Sequence, residues 1–167
     1  NHKPIQQILG KTVFYNTTLK VNQHILIPRQ ETEELVDWII KDASTEKKSI
    51  LDIGTGSGCI AIALAKNLSG STVSALDYKP EILDTAKENA LLNEVTISFI
   101  LADVLKDDPP LDQYNLIVSN PPYVTKDEWH ELSERVRAYE PRMALVPEEK
   151  PVEAVYEALA ELAVRPD

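Results

Sequence analysis

The sequence predicts an α/β fold: an open, parallel β-sheet with helices on both faces, preceded by a small β-hairpin and a helix. Two observations support this prediction. From Ser49 onward, short apolar runs alternate with longer helical patterns, and a glycine-rich turn joins the first run to the first helix. Strands separated by helices of this length pair in parallel through right-handed crossovers, so their carboxyl ends share one edge of the sheet.

The individual strands and helices follow from hydrophobic periodicity and turn residues. In chain order the sequence predicts strands at 13–15 and 19–27, a helix after Arg29, a strand at 50–53, a helix at about 59–67, a strand at 72–76, a helix from Pro80, strands at 95–101 and 115–119, and a helix at 151–164. Residues 1–28 are interpreted as a hairpin segment, and residues 29–167 as a single α/β domain.

The composition limits the class of protein. A chain of 167 residues with 43% hydrophobic and 26% charged residues has the size and character of one globular domain. Its formal net charge of −10 argues against a nucleic-acid partner, because proteins that bind phosphate backbones present a basic face. The one local basic cluster, Lys47 and Lys48, is interpreted as a solvated loop.

Membrane, metal and disulfide signals are weak. The longest apolar stretch, Cys59 to Ala65, is shorter than the roughly 18 residues of a membrane span, and the first residues do not resemble a signal peptide. We therefore expect a cytoplasmic protein without a membrane partner. Cys59 is the single cysteine, so it forms no internal disulfide, and it is interpreted as a small buried side chain. The three histidines are far apart, so no metal site is expected.

A glycine-rich turn, Gly54-Thr55-Gly56-Ser57-Gly58, lies where the first strand of the sheet runs into its helix. Glycines allow the backbone to turn sharply and to approach a ligand closely, and the helix start behind them offers unpaired N–H groups. A dinucleotide fingerprint would need another glycine at position 59, where the chain has cysteine. The turn therefore favours a nucleoside site over a pyrophosphate site.

Two carboxylates follow the next two strands. Asp77 can accept hydrogen bonds from both hydroxyls of a ribose, although it could instead be a surface turn acid or a cap of the helix at Pro80. Asp103 could accept from an adenine amino group, with Val104 as an apolar neighbour and backbone donor, or it could be a solvated loop acid. Because the glycine turn and both acids end neighbouring strands, the sequence predicts an adenosine pocket.

The fourth strand of the sheet ends at Asn120-Pro121-Pro122-Tyr123. The Asn120 side-chain oxygen and the Pro121 carbonyl can each accept an N–H of a planar amide or amine. Two prolines restrict the backbone and remove competing donors, and Tyr123 can stack on the planar group. A bare Asn-Pro-Pro is otherwise a turn. After a buried strand and beside an adenosine pocket, it predicts a site that orients a nitrogen nucleophile toward a methyl donor.

These motifs resemble the HemK-type class of protein-glutamine N5-methyltransferases. The resemblance runs from about Ile8 to Val146, which is most of the chain. It is carried by Gly10 and Phe14, by Ile27-Pro28-Arg29-Gln30-Glu31-Thr32-Glu33, by Leu51 to Ala61, by Val118 to Tyr123, and by Val136-Arg137 with Glu140-Pro141. It implies a Rossmann-like class I S-adenosylmethionine-dependent methyltransferase sheet, with residues 29–167 as the catalytic domain.

The resemblance also implies ligands and roles. S-adenosylmethionine is expected at Gly54 to Gly58, Asp77, Val104 and Asn120, with S-adenosylhomocysteine as the product. The substrate glutamine is expected on Asn120 to Tyr123, with Asn120, Pro121 and Tyr123 as the catalytic residues. The implied partner is a peptide chain release factor, methylated on the glutamine of its Gly-Gly-Gln loop.

The chain departs from the family in composition and extent. Gln30 stands where the family usually has proline, in the run that separates the release-factor enzymes from those that methylate a ribosomal protein. Arg29 and Glu31 could simply be surface charges at a helix start. The family also has a small helical domain before this region and three strands after the fourth. We therefore expect an incomplete domain whose fourth strand lies at an exposed edge.

Two other functions are compatible with these residues. An adenine-N6 or other nucleic-acid amino-methyltransferase also uses Asn-Pro-Pro-Tyr to hold a planar amino group, with a flipped base stacked on Tyr123. The acidic charge and the run from Pro28 to Glu33 argue against it. A third hypothesis is a cofactor-binding module without catalytic activity.

Overall fold

The computed structural model describes residues 3–43, 47–107, 114–147 and 151–163. The helices are α1 (Ile5–Leu9), α2 (Gln30–Ala43), α3 (Cys59–Asn67), α4 (Pro80–Leu92), α5 (Glu128–Glu131), α6 (Glu134–Tyr139) and α7 (Val152–Ala163), with a 3₁₀ turn at Arg142–Ala144. The strands are β1 (Lys11–Phe14), β2 (Thr17–Lys20), β3 (Ser49–Ile53), β4 (Thr72–Asp77), β5 (Ser98–Leu101) and β6 (Leu116–Ser119). The predicted α/β fold with a preceding hairpin and helix is confirmed.

The main sheet has four strands in the order β5-β4-β3-β6, and all of its pairs are parallel. At the carboxyl edge, Ile53 pairs with Leu76 on one side and with Ser119 on the other, while Asp77 pairs with Leu101. Because β4 and β6 lie on opposite sides of β3, the chain reverses its winding direction there. Such a switch point opens a crevice for ligands at the carboxyl ends of the strands.

The crevice is supported by helix α3, which is buried in the core. Residues Ile60 to Leu64 of α3 are all buried, and they pack in the same core as β3, α2 and β4. A helix that is apolar on all sides belongs inside the protein, where its position is fixed by close packing. The glycine turn that leads into α3 is therefore held on a rigid support.

The hairpin is shorter than the sequence predicted. The second strand was expected to continue to Ile27, but β2 ends at Lys20. A turn follows, in which the Asn22 side chain accepts the His24 N–H at 2.8 Å. Val21 and Ile25 are buried against Ile82 of α4, so their apolar character reflects packing on a helix and not strand pairing.

Other boundaries also differ. The strand predicted from Val95 begins at Ser98, because Glu94 takes a left-handed backbone (φ 57°) and Val95 donates its N–H to Ala90 at the end of α4. The short helices α1, α5 and α6 and the 3₁₀ turn were not predicted. At three to six residues each, they contain too few periodic apolar positions for a helical pattern to show. The helix predicted at 151–164 is confirmed as α7; position 164 lies outside the described residues.

A buried asparagine joins the hairpin to the glycine turn. The Asn89 side chain is fully buried, and its oxygen accepts the Lys20 N–H at 2.7 Å. Its nitrogen donates to the Lys20 carbonyl at 3.1 Å and to the Ser57 carbonyl at 2.9 Å. One amide therefore satisfies backbone groups from two segments that form no strand pair with each other.

Replacing this amide should destabilise the protein. Asn89→Ala leaves two part-buried backbone groups of Lys20 and the buried Ser57 carbonyl without their partner, and we expect the free energy of unfolding to fall by about 2–4 kcal/mol. Urea denaturation measures the change. Asn93→Ala is the matched control, because Asn93 bonds the same hairpin at the Thr18 carbonyl from a more exposed position and should cost under about 1 kcal/mol. Equal losses in the two variants would contradict this role of Asn89.

Candidate functional site

A cavity opens at the carboxyl edge of the main sheet, where four segments that follow strands converge. Its lining includes most of the residues that the sequence predicted for the site: Gly54, Thr55, Gly56 and Ser57 after β3, Asp77 at the end of β4, Asp103 and Val104 after β5, and Asn120, Pro121 and Pro122 after β6. Gly58 and Tyr123 do not line it. The structure thus brings ten of the twelve predicted positions together in one cavity.

The three glycines of the turn have different surroundings. Gly54 and Gly56 have φ values of 70° and 56°, and a Cβ atom at either position would meet no atom within 4 Å. These positions leave open space on the cavity side, where a ligand can approach the backbone. At Gly58, a Cβ would lie 3.1 Å from Ile62 and 3.3 Å from Ala86. Gly58 therefore serves the contact between α3 and α4.

A buried carboxylate lies beneath the turn. Asp52 is 1% exposed, and its Oδ2 accepts the Thr55 hydroxyl at 2.7 Å and the Ala61 N–H at 3.3 Å. Within the described part of the chain, its Oδ1 has no hydrogen-bond partner. Burial raises the pKa of Asp52 to about 6, against opposing hydrogen bonds from Thr55 and Ala61.

Asp77 connects the glycine turn to β4. Its Oδ2 accepts the Gly56 N–H at 3.0 Å, and its Oδ1 accepts the Tyr78 N–H at 2.9 Å. The residue is 5% exposed, and burial raises the pKa of its carboxyl while these N–H donors lower it. The Lys79 N–H also bonds this carboxyl. Asp77 is therefore no surface acid, and a carboxylate with about four lone-pair sites keeps acceptor capacity for a ligand.

Asp103 is more exposed and already paired. Its Oδ1 accepts the Leu105 N–H at 3.0 Å, and its Oδ2 lies 3.2 Å from the Lys106 ammonium. It is a loop acid, which is one of the two interpretations, and it also lines the cavity. A ligand amino group would share this carboxylate with Lys106.

The Asn120 end of the cavity is fixed by two hydroxyl groups. The Ser119 hydroxyl donates to the Ile53 carbonyl at 2.8 Å, which ties the end of β6 to the end of β3. The Asn120 side-chain nitrogen donates to the Thr32 hydroxyl on α2 at 3.3 Å. Tyr123 is 52% exposed and lies outside the lining, so its ring is available at the surface beside the cavity.

Arg29 has a structural partner. One of its guanidinium nitrogens lies 2.7 Å from both carboxylate oxygens of Glu140, whose side chain is only 3% exposed. This pair connects the start of α2 to the segment after α6. The interpretation of Arg29 as a simple surface charge is therefore wrong, whereas Glu31 is exposed on the first turn of α2.

Among the lining residues that the sequence had not marked as site residues are Tyr78, Thr32 and Met143. Tyr78 directly follows Asp77, so the strand-end rule that selected Asp77 could also have selected it. Thr32 and Met143 come from α2 and the 3₁₀ turn, and the Met143 sulfur lies 3.3 Å from the Lys79 ammonium. They reach the cavity through tertiary packing, which no local pattern reveals.

The described residues contain neither a metal-binding cluster nor a membrane-spanning helix. No cluster of three or more histidine, cysteine or acidic side chains is arranged to bind a metal ion in residues 3–43, 47–107, 114–147 and 151–163. Over the same ranges, none of the helices has both the length and the apolar character that crossing a membrane requires. Cys59 packs at the edge of the core, and desolvation raises the pKa of its thiol to about 12.

Solved structures share this fold. The hMettl16 catalytic domain in complex with MAT2A 3'UTR hairpin 6 superposes with a TM-score of 0.65 at 18% identity, covering 90% of this chain and 58% of that one. The Pyrococcus abyssi tRNA (uracil-54, C5)-methyltransferase in complex with S-adenosyl-L-homocysteine gives 0.55 at 21% identity, covering 66% and 27%. At these identities the likeness concerns the fold, which is that of methyltransferases.

Sequence comparison is more specific. The family model of the methyltransferase small domain matches residues 30–138, so the chain belongs to the methyltransferase small domain family. Among its relatives are the release factor glutamine methyltransferases of Flavobacterium psychrophilum, at 49% identity over 98% of this chain, and of Lactococcus lactis, at 44% over 98%. The resemblance to protein-glutamine methyltransferases is confirmed. The chain spans 59% of the length of each of these two relatives.

The buried Asp52 predicts a pH-dependent stability. Its pKa rises from an ordinary value of 3.8 to about 6 on folding, so the folded state holds this proton more tightly than the unfolded state. The corresponding stabilisation is fully present below pH of about 4 and is lost as the pH rises through about 6.

Asp52→Asn keeps an acceptor for Thr55 and Ala61 but carries no charge. The free energy of unfolding of this variant, relative to wild type, should therefore increase by about 2–3 kcal/mol between pH 4 and pH 7. Urea denaturation at unit pH steps measures the difference. A difference that stays constant with pH would contradict the raised pKa.

Proposed function

We propose that this domain transfers a methyl group from S-adenosylmethionine to the side-chain amide nitrogen of a glutamine, in the Gly-Gly-Gln loop of a peptide chain release factor. The observation that carries the proposal is the position of Asn120 and its two prolines in the same cavity as Asp77 and the glycine turn. The residues proposed to hold the acceptor nitrogen therefore line the same cavity as those proposed to bind the cofactor. Action in the cytoplasm, without a membrane partner or direct nucleic-acid contact, is part of the proposal.

The residues present fit S-adenosylmethionine. The space beside Gly54 and Gly56 admits a ligand against the backbone, and Asp77 offers buried acceptors for two ribose hydroxyls. Asp103 and Val104 line the same cavity, and in this proposal the Asp103 carboxylate accepts from the adenine amino group while the Val104 N–H donates to the adenine ring. The bound cofactor supplies an electrophilic methyl group, and the chain supplies binding and orientation.

The acceptor side needs little more than orientation. An amide nitrogen is a poor nucleophile because its lone pair is delocalised, so its two N–H groups must be held while the methyl donor lies in line. The Asn120 oxygen and the Pro121 carbonyl can accept these two hydrogens. Orientation of this kind can lower a barrier by up to about 7–11 kcal/mol. The proton left on the nitrogen becomes acidic after methyl transfer and can leave to water.

The choice of substrate rests on the relatives. Proteins that match this chain at 38–49% identity are named release factor glutamine methyltransferases. The acidic charge of the chain and its pairing of Arg29 with Glu140 are compatible with a protein substrate, and neither provides the basic face that a nucleic acid would need.

The ribose contact can be tested by cofactor affinity. Asp77→Ala removes two charge-assisted acceptors, so we expect the Kd for S-adenosylhomocysteine to rise by about 10- to 100-fold. Isothermal titration calorimetry measures it. Asp84→Ala is the control, because Asp84 is an exposed acid on α4 that pairs with Lys87. The Kd of this variant for S-adenosylhomocysteine should match that of the wild type. An unchanged Kd in Asp77→Ala would move the ribose contact elsewhere.

Methyl transfer itself is tested with radiolabelled S-adenosylmethionine and three acceptors: a release factor, the same factor with its loop glutamine changed to alanine, and duplex DNA or structured RNA. Label should enter only the first. Asn120→Ala should lower kcat by about 100-fold, because the amide loses one of its two acceptors, whereas Asn67→Ala at the end of α3 should not.

The other outcomes of this assay are equally informative. Label in the nucleic acid would support the alternative amino-methyltransferase, and cofactor binding without any transfer would support an inactive module. A wild-type rate in Asn120→Ala would remove Asn120 from the catalytic role.

A further inference from the structure

The orientation of the Asn120 side chain decides what it can do. An amide has an oxygen that accepts hydrogen bonds and a nitrogen that donates them, and the two ends have almost the same shape. Turned by 180°, Asn120 would present N–H groups to the N–H groups of the acceptor. The proposed reaction therefore needs a neighbour that holds the amide with its oxygen toward the acceptor.

Thr32 is placed to do this. Its hydroxyl oxygen accepts a hydrogen bond from the Asn120 side-chain nitrogen at 3.3 Å. Within the described residues, the Asn120 side-chain oxygen makes no hydrogen bond. We propose that Thr32 is a positioning residue that holds the Asn120 nitrogen against α2 and leaves the oxygen directed at the acceptor nitrogen. This inference deepens the proposed function and rests on it.

The position of Thr32 is itself fixed. The residue is 8% exposed and lies in the first turn of α2, which is anchored from two directions. Arg29 joins the start of this helix to the buried Glu140, and the Glu33 carboxylate accepts the Tyr15 N–H of the hairpin at 2.9 Å. A helix turn held at both sides keeps the Thr32 hydroxyl within reach of the Asn120 amide.

The run from Arg29 to Glu33 thereby acquires a physical role. Its polar side chains contact three separate parts of the protein. Arg29 contacts the segment after α6, Thr32 contacts the candidate catalytic asparagine, and Glu33 contacts the hairpin. The backbone of Asn120 is fixed independently, because the neighbouring Ser119 hydroxyl bonds Ile53. Only rotation of the amide remains for Thr32 to control.

The test uses two substitutions and a matched control. Thr32→Val keeps the shape of the side chain and removes the hydroxyl, whereas Thr32→Ser keeps the hydroxyl. Thr85→Val is the control, because Thr85 is also 8% exposed, also lies on a helix, and also accepts from an asparagine nitrogen, that of Asn22 at 3.1 Å. Thr85 and Asn22 do not line the cavity.

Steady-state kinetics give the first readout. Thr32→Val should lower kcat by about 3- to 10-fold, as expected for one lost hydrogen bond, with the KM for S-adenosylmethionine unchanged. Thr32→Ser should recover kcat to within about 2-fold of wild type, and Thr85→Val should retain it. A wild-type kcat in Thr32→Val, or a Thr32→Ser variant as slow as Thr32→Val, would overturn the proposal.

A second readout does not depend on activity. The side-chain NH₂ pair of Asn120 can be assigned in a ¹⁵N–¹H spectrum by its loss in Asn120→Asp. Thr32→Val should shift this pair and increase its exchange with solvent, and Thr85→Val should leave it in place. An unmoved pair in Thr32→Val would refute the positioning role. A shifted pair in a protein that methylates nothing would leave the contact standing and refute the proposed function instead.

Discussion

Parallel pairing of β3 with β4 on one side and β6 on the other is the constraint from which the site follows. The registers place Ile53, Leu76 and Ser119 side by side at one edge. Most of the residues proposed to recognise a cofactor or an acceptor lie within a few residues of these three strand ends, and Asp103 and Val104 follow β5. A shift of one strand by a single residue would exchange its two faces and move its polar terminal residue out of the cavity.

Hydrogen bonds between side chains and backbone then hold the loops that leave this edge. Asp77 accepts from Gly56, Ser119 donates to Ile53, and Asn89 bridges Ser57 to the hairpin. Each of these bonds joins segments that are distant in sequence and is at least part-buried, and an unmade bond in such a position costs more than a made bond gains. The cavity is therefore preorganised by its surroundings, as orientation catalysis requires.

The sequence predicted the sheet and most of the cavity because both depend on local signals. Apolar runs, Pro80 at a helix start and glycines at the end of β3 all act within a few residues. The strand prediction failed where tertiary packing overrides the local pattern, because Val21 and Ile25 resemble a strand but pack on Ile82. Gly58 belongs to the same run as Gly54 and Gly56, but it lies close to Ile62 and Ala86, and no local pattern reveals this difference in surroundings. Thr32 and Glu140 belonged to recognised motifs, yet their partners could be seen only in three dimensions.

The separation in sequence between strand partners has a further consequence for how the site assembles. Ile50 pairs with Val73 through one compact βαβ unit, but it pairs with Leu116 only after the chain has passed through β4, α4 and β5. Closing the longer connection costs about 1 kcal/mol more in chain entropy. The part of the cavity formed by the glycine turn and Asp77 is thus encoded by a nearly local unit, while the part formed by Asn120 and its two prolines depends on the pairing of β6. Weakening β6 should displace Asn120 while the glycine turn and Asp77 stay in place.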